Sequence, residues 1–284
     1  MFDGKSMTGW HSYQQDTITK VLGKPGWAIS DSAIFRVASG AGGLLAPEKF
    51  VAKNFEISID WKVADNGNSG LFLRYLETEA KEFIRTGPET QICGKAHDNY
   101  GDGMQTTSPG ACYDMYPPAK PWIRPADQYN TLKVIMFENH VAHYGNGIKL
   151  LEYEIGSDDW KAKYAASKYA LFPLYGDVHA GKLLLQDHGN SVWFRNLKVR
   201  PLSVDPWTDK SFVWPDQEIS SIRSGSMFRS PAPSQGNFQV LDWRGRRLGH
   251  TEGSGSWRTQ LATGLYILQG PVEKDAFAGK IIVR

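Results

Sequence analysis

The 284-residue sequence is poor in cysteine, in net charge and in long apolar runs. Its two cysteines, Cys93 and Cys112, rule out a dense disulfide framework. They read either as one bridge in an oxidising compartment or as two buried apolar residues in a reducing one. A formal net charge of +2, with no run of Lys or Arg, lacks the basic footprint of a nucleic-acid binder or of a protein drawn to anionic lipid. No segment is long and apolar enough to span a membrane. The opening Met1-Phe2-Asp3-Gly4-Lys5 is not a signal peptide, which leaves a cytoplasmic protein or a leader already removed. A long amphipathic helical pattern is also missing.

What is abundant points to β structure. The chain has 29 glycines, ten tryptophans and 41% hydrophobic residues, enough for one large β domain and a small appendage. Such aromatic density serves a core, and it also serves surfaces that stack on sugar rings. Residues 54–63 alternate, with Phe55, Ile57, Ile59, Trp61 and Val63 on one face. A turn at Ala64-Asp65-Asn66-Gly67-Asn68-Ser69-Gly70 precedes Leu71-Phe72-Leu73-Arg74-Tyr75, so the two runs are expected to pair as antiparallel neighbours. Further strands are expected at 131–137, 140–144, 148–153, 182–186 and 191–199, with a short helical or irregular excursion at 157–169.

The texture changes near residue 203. Residues 203–236 read as a linker, with a Ser-, Gly-, Pro- and Arg-rich stretch from Ser220 to Gly236. Order resumes at 237–284 with short strands that would make a small β module of little core.

Four segments, in order, carry a resemblance. They are Phe2-Asp3-Gly4-Lys5 with Gly9-Trp10, then Gly67-Asn68-Ser69-Gly70-Leu71-Phe72-Leu73-Arg74. Next come Glu89-Thr90-Gln91-Ile92 with His97 and Gly110-Ala111-Cys112-Tyr113-Asp114, and last Gln186-Asp187-His188-Gly189-Asn190 with Val192-Trp193-Phe194-Arg195-Asn196. Together residues 1–202 resemble the 3-keto-disaccharide hydrolase domain family. That resemblance implies an all-β, concanavalin A-like two-sheet jelly-roll sandwich acting on 3-keto-glycosides, by hydrolysis or by elimination and hydration. The tail, through Val240-Leu241-Asp242-Trp243, Gly264-Leu265-Tyr266-Ile267-Leu268 and Lys280-Ile281-Ile282-Val283, is similar to a type IX secretion sorting domain. This implies contact with secretion machinery and a secreted or cell-surface bacterial protein.

A ketone at C3 acidifies the C2 proton, so such a site needs a base, a donor facing the enolate oxygen and an acid for the leaving oxygen. Glu89 is the first candidate base, and Glu89 and Gln91 share a strand face. His97 and His188 are candidate acid–base groups, with Asp187 beside them. Asp187 also reads as the organiser of its own turn. Arg74, expected on the face of Phe72, joins Gln91, Asn68 and Tyr113 as substrate-binding candidates. Trp122 reads as a rim aromatic or as a plug on the barrel end, and Arg195 as a cleft residue or an ion-pair partner. Glu89, His97, Asp98 and His188 offer oxygen and nitrogen ligands suited to a divalent ion, but no tight ligand spacing commits the chain to a metal. A Cys93–Cys112 bridge would close a loop of about 20 residues and contribute roughly 3 kcal/mol.

Two other readings stay open: a non-catalytic carbohydrate-binding module and, last, an ordinary β-glucanase with paired carboxylates across a cleft. A catalytic site predicts clustered ionisable groups, and a binding module predicts an aromatic platform without them.

Overall fold

The computed structural model describes residues 1–37, 40–78, 86–126, 128–209, 211–212 and 214–215, and beyond these only the backbone of six strands. The chain divides into two compact units, Met1–Ser203 and Val204–Arg284.

The first unit has strands β1 (His11–Ser12), β2 (Lys20–Val21), β3 (Lys24–Pro25), β4 (Trp27–Ser30), β5 (Ala33–Arg36), β6 (Leu44–Leu45), β7 (Phe55–Val63), β8 (Asn68–Tyr75), β9 (Glu89–Cys93), β10 (Asn130–Phe137), β11 (His140–Gly145), β12 (Ile148–Glu154), β13 (Lys182–Leu185) and β14 (Val192–Pro201). Its one α-helix among the described residues is α1 (Asp158–Ala166). Two antiparallel sheets form, with orders β1-β6-β13-β8-β9 and β12-β11-β10-β7-β14-β5-β4. This is the expected concanavalin A-like jelly-roll sandwich.

Strand β7 alternates buried and half-buried residues along its whole length, as its sequence period dictates. Its inward residues Ile57, Ile59 and Trp61 meet Leu71, Leu73 and Ile92 of the other sheet in one apolar core. Each such aliphatic side chain, once buried, contributes about 1.5–3 kcal/mol against the entropy of ordering the chain.

Against expectation, the runs at 54–63 and 71–75 are not neighbours, and residues 68–70, expected in the turn, begin β8: β7 pairs with β10 and β14, whereas β8 pairs with β9 and β13. The turn that closes with Gly67 N–H donating to Ala64 O carries the chain from one sheet to the other. Strand β8 is buried at every residue, which a strand with one solvated face could not be.

In the second unit β16 (Phe238–Asp242), β17 (Arg247–Thr251), β19 (Gly264–Gln269) and β20 (Ala278–Val283) form a four-stranded antiparallel sheet, and β15 (Met227–Arg229) pairs with β18 (Ser256–Arg258). Most of the expected linker, including 216–226 and 230–236, lies outside the described residues.

Candidate active site on the outer face of the five-stranded sheet

Register decides which side chains meet. Antiparallel partners share a face. In β8 and β9, Phe72 opposes Glu89, Gly70 opposes Gln91, and Asn68 opposes Cys93. These point outward, away from the core, while Leu71, Thr90, Ser69 and Ile92 point inward. On the other flank of β8, Gln186 N–H donates to Gly70 O at 2.9 Å, so Gln186 continues the row Gln91–Gly70. Three adjacent strands thus bring Glu89, Gln91, Asn68 and Gln186 to one polar surface.

Glu89 is the centre of it. Only 3% of the residue is exposed. Burial pushes its carboxyl up to about 7, against the opposing pull of the Lys168 ammonium and a Tyr169 hydroxyl donating to Oε2 at 3.4 Å. The carboxylate leans over Gly70, where a Cβ would stand 2.3 Å from Oε1. Gly70 is therefore a space requirement of the carboxylate rather than a turn residue. Lys168 Nζ lies 4.0 Å over the Tyr113 ring, and Tyr169 stacks on Tyr175 with centroids 3.9 Å apart. Burial, and then the Glu89 charge, raise the Tyr113 phenol above its ordinary value.

The amides are under-used by the protein itself. Gln91 Oε1 accepts from the Ile92 N–H at 3.2 Å. Among the described residues no partner reaches Gln91 Nε2, Gln186 Oε1 or Asn68 Oδ1, all of them buried.

The two histidines approach from separate loops. His97 Nδ1 accepts the Asn99 N–H at 3.1 Å, which leaves Nε2 as the protonated nitrogen of the neutral ring. Burial and the neighbouring His188 lower its pKa, partly countered by Asp98. The His97 and His188 rings sit edge to face with centroids 6.4 Å apart. Among the described residues, no three His, Cys, Asp or Glu side chains are grouped to hold a metal ion.

Several candidates lie elsewhere. Arg74 has φ +46°, which breaks the alternation of β8 beside the bulge at Lys182/Leu184 and turns its side chain off the face of Phe72. Its Nε donates to Lys53 O at 2.9 Å and its Nη2 to Glu138 O, tying β8 to the β10–β11 hairpin. Trp122 is buried as a plug: its Nε1 donates to Pro109 O at 2.7 Å and its ring meets Trp61 edge-on. Arg195 opposes Asp60 on the outward face of the seven-stranded sheet, on the far side of the sandwich, with its guanidinium 3.6 Å over Tyr129. Asp187 is taken up by Arg36, at 3.3 Å, and by the N–H of Gly189. Both cysteines carry free thiols. Cys93 opposes outward Asn68 and Cys112 opposes inward Thr90, so opposite sheet faces keep them from bridging.

Reading the sequence missed Lys168, Tyr169, Gln186 and Arg36. Gln186 stands in a quoted motif and could have been found. Lys168 and Tyr169 end the 157–169 stretch, which has no period, and Arg36 ends an ordinary strand.

Two antiparallel sheets, with a buried carboxyl and amides on one outer face and a pair of imidazoles on the loops that follow β9 and β13, define a jelly-roll domain with a polar site on a sheet face. The chain belongs to the family described as 3-keto-alpha-glucoside-1,2-lyase-like domains, which residues 1–200 match. It is 30% identical to a 3-keto-disaccharide hydrolase of Bacteroides thetaiotaomicron, over 71% of this chain and 77% of that one. A crystal structure of a putative glycosyl hydrolase from Parabacteroides distasonis superposes with a TM-score of 0.61 at 30% identity, covering 71% of this chain and 92% of the other. A second structure from that organism, of the same description, gives 0.51 at 24% identity over 62% and 90%.

Proposed function

We propose that this protein cleaves the glycosidic bond of 3-keto-glycosides, with Glu89 as the base that takes the C2 proton. The observation that carries the reading is Glu89 itself, a buried carboxyl raised to about 7 among unpartnered amides. A base is most useful when its pKa lies near the working pH. A non-catalytic binding surface gains nothing from burying a carboxyl at that cost.

Glu89 takes the proton from C2, and the C–H pair moves toward the C3 ketone to give an enediolate. Lys168 and the Tyr169 hydroxyl supply positive potential beside the carboxylate and the developing oxyanion. The pair then returns, the C1–O bond breaks, and a His97 or His188 imidazole gives a proton to the departing oxygen. Water adds across the resulting C1=C2 bond, which completes net hydrolysis. Gln91, Asn68, Gln186 and Tyr113 hold ring hydroxyls.

The two-carboxylate route of ordinary glycosidases finds less support. Glu89 is the one Asp or Glu buried as a whole residue among those described, and the Asp187 carboxylate is committed to Arg36.

Incubation with 3-keto-glucosides and their unoxidised parents, with deuterium exchange at C2 followed in heavy water, tests the reading. Turnover restricted to the keto compounds and lost in Glu89→Gln supports it. Inert wild-type protein across several such substrates, with and without divalent ions, rejects it.

The second unit is proposed to act as a sorting module for export, on the strength of the strand runs noted in its sequence. Fractionation of cells making the full chain, or the chain stopped at 203, decides this. Equal export of the two forms refutes it.

A further inference from the structure

The turn that carries His188 is held from the opposite sheet. Residues 186–191 cross from β13 in the five-stranded sheet to β14 in the seven-stranded sheet, with Gly189 at φ +92°. The crossing is pinned at its base, where Ser69 Oγ donates to Gln186 O at 2.8 Å and Asn68 N–H donates to Asn190 Oδ1 at 3.3 Å. Its tip is held by one residue that none of the four sequence motifs includes. Arg36, the last residue of β5, donates Nε to Asn190 O and sets Nη1 3.3 Å from Asp187 Oδ1, an ion-pair contact in which that buried nitrogen makes no hydrogen bond among the described residues. Asp187 Oδ1 also accepts the Gly189 N–H at 3.0 Å. The guanidinium therefore grips the chain on both sides of His188. The side chains of Arg36 and Asp187 are only 6% and 4% exposed, whereas His188 itself is exposed.

Burying this ion pair is a poor way to gain stability, because desolvation takes back most of the attraction. What the pair does supply is geometry. The guanidinium donates Nε to a carbonyl on one side of the turn and sets its charge beside Asp187 on the other, two contacts from separate atoms that the single ammonium of a lysine could not reproduce.

We propose that Arg36 is a positioning residue of the site: it clamps the 187–190 turn and so holds the His188 imidazole against that of His97. The catalytic consequence rests on the reaction proposed above, whereas the geometric claim does not.

Two measurements on the full chain separate these. The first follows the imidazole titrations by NMR in wild type, Arg36→Met and His188→Ala. His97 is faced by His188 and Asp98, and it titrates below the ordinary value partly because of His188. Loss of the clamp should move the His97 midpoint upward, as His188→Ala does. A wild-type His97 midpoint in Arg36→Met, with a shifted one in His188→Ala, overturns the proposal.

The second compares kcat and KM on a 3-keto-glucoside. Arg36→Met and His188→Ala should each lower kcat by about tenfold or more, with KM changed by less than about threefold. The double variant should fall within about twofold of His188→Ala alone. Multiplied losses assign Arg36 a role apart from His188 and also overturn the proposal. Should Arg36→Met fail to fold, Asp187→Asn takes its place, since it keeps an acceptor for Gly189 and removes the charge. Wild-type protein inert on every keto sugar sinks the proposed reaction, and the imidazole titration still decides Arg36.

Discussion

Glu89 couples chemistry to stability through a single proton. Its carboxyl titrates near 4.5 in an unfolded chain and at about 7 in the fold. A folded pKa raised in this direction gives stability that is complete below the unfolded value and is lost as pH rises through about 7. The loss by pH 8 is about 3 kcal/mol for a shift of this size. Glu89→Gln cannot ionise and escapes the loss. Calorimetry should find the variant and wild type alike near pH 4 and the variant the more stable at pH 8, while its activity falls by about a hundredfold or more. A stability difference that does not change with pH would show that the carboxyl is not perturbed.

The glycine beneath it makes a second, steric prediction. A methyl at residue 70 would stand 2.3 Å from Glu89 Oε1 and 3.0 Å from its Cδ. Gly70→Ala must push the carboxylate aside. Activity should drop at least about tenfold, for a stability cost of about 1–3 kcal/mol. Unchanged kcat in a folded Gly70→Ala protein would remove Glu89 from the reaction.

At the scale of elements, strand β8 does two jobs on its two sides. Its first half presents Asn68 and Gly70 to the site, and its last turnings anchor the fold through Arg74. The guanidinium is buried and its Nε and Nη2 donate to the carbonyls of Lys53 and Glu138. Arg74→Ala leaves those carbonyls without their donors and opens a cavity, so the melt should lose about 3 kcal/mol. Activity per folded molecule should stay near wild type, because Arg74 does not face the substrate side. A selective loss of kcat without loss of stability would return Arg74 to the site. The bulge that moved it is a local backbone event, and strict alternation along a strand cannot foretell one.

At the scale of the molecule, Met1–Ser203 is a compact unit with its own core and the whole candidate site. A chain ending at residue 203 should therefore melt in one transition and keep the turnover of the full chain. Loss of folding on truncation would make the second unit part of the same cooperative structure.

Much of this was legible without coordinates. The period of two along residues 55–63 set the inward face of β7, and the same parity put Glu89 and Gln91 on one side of β9. Both follow from neighbours in the chain, whose directions the backbone imposes. Layer assignment was not legible, because the turn at 64–67 could close a hairpin or cross between sheets, and only packing of both faces of β8 chose the crossing. Nor could the chain reveal that Tyr169 would reach Glu89 across 80 positions, or that Arg36 would meet Asn190 across 154. Those contacts carry no local pattern. They exist because burying two sheets face to face brings distant loops to one rim, and that free energy belongs to the folded whole.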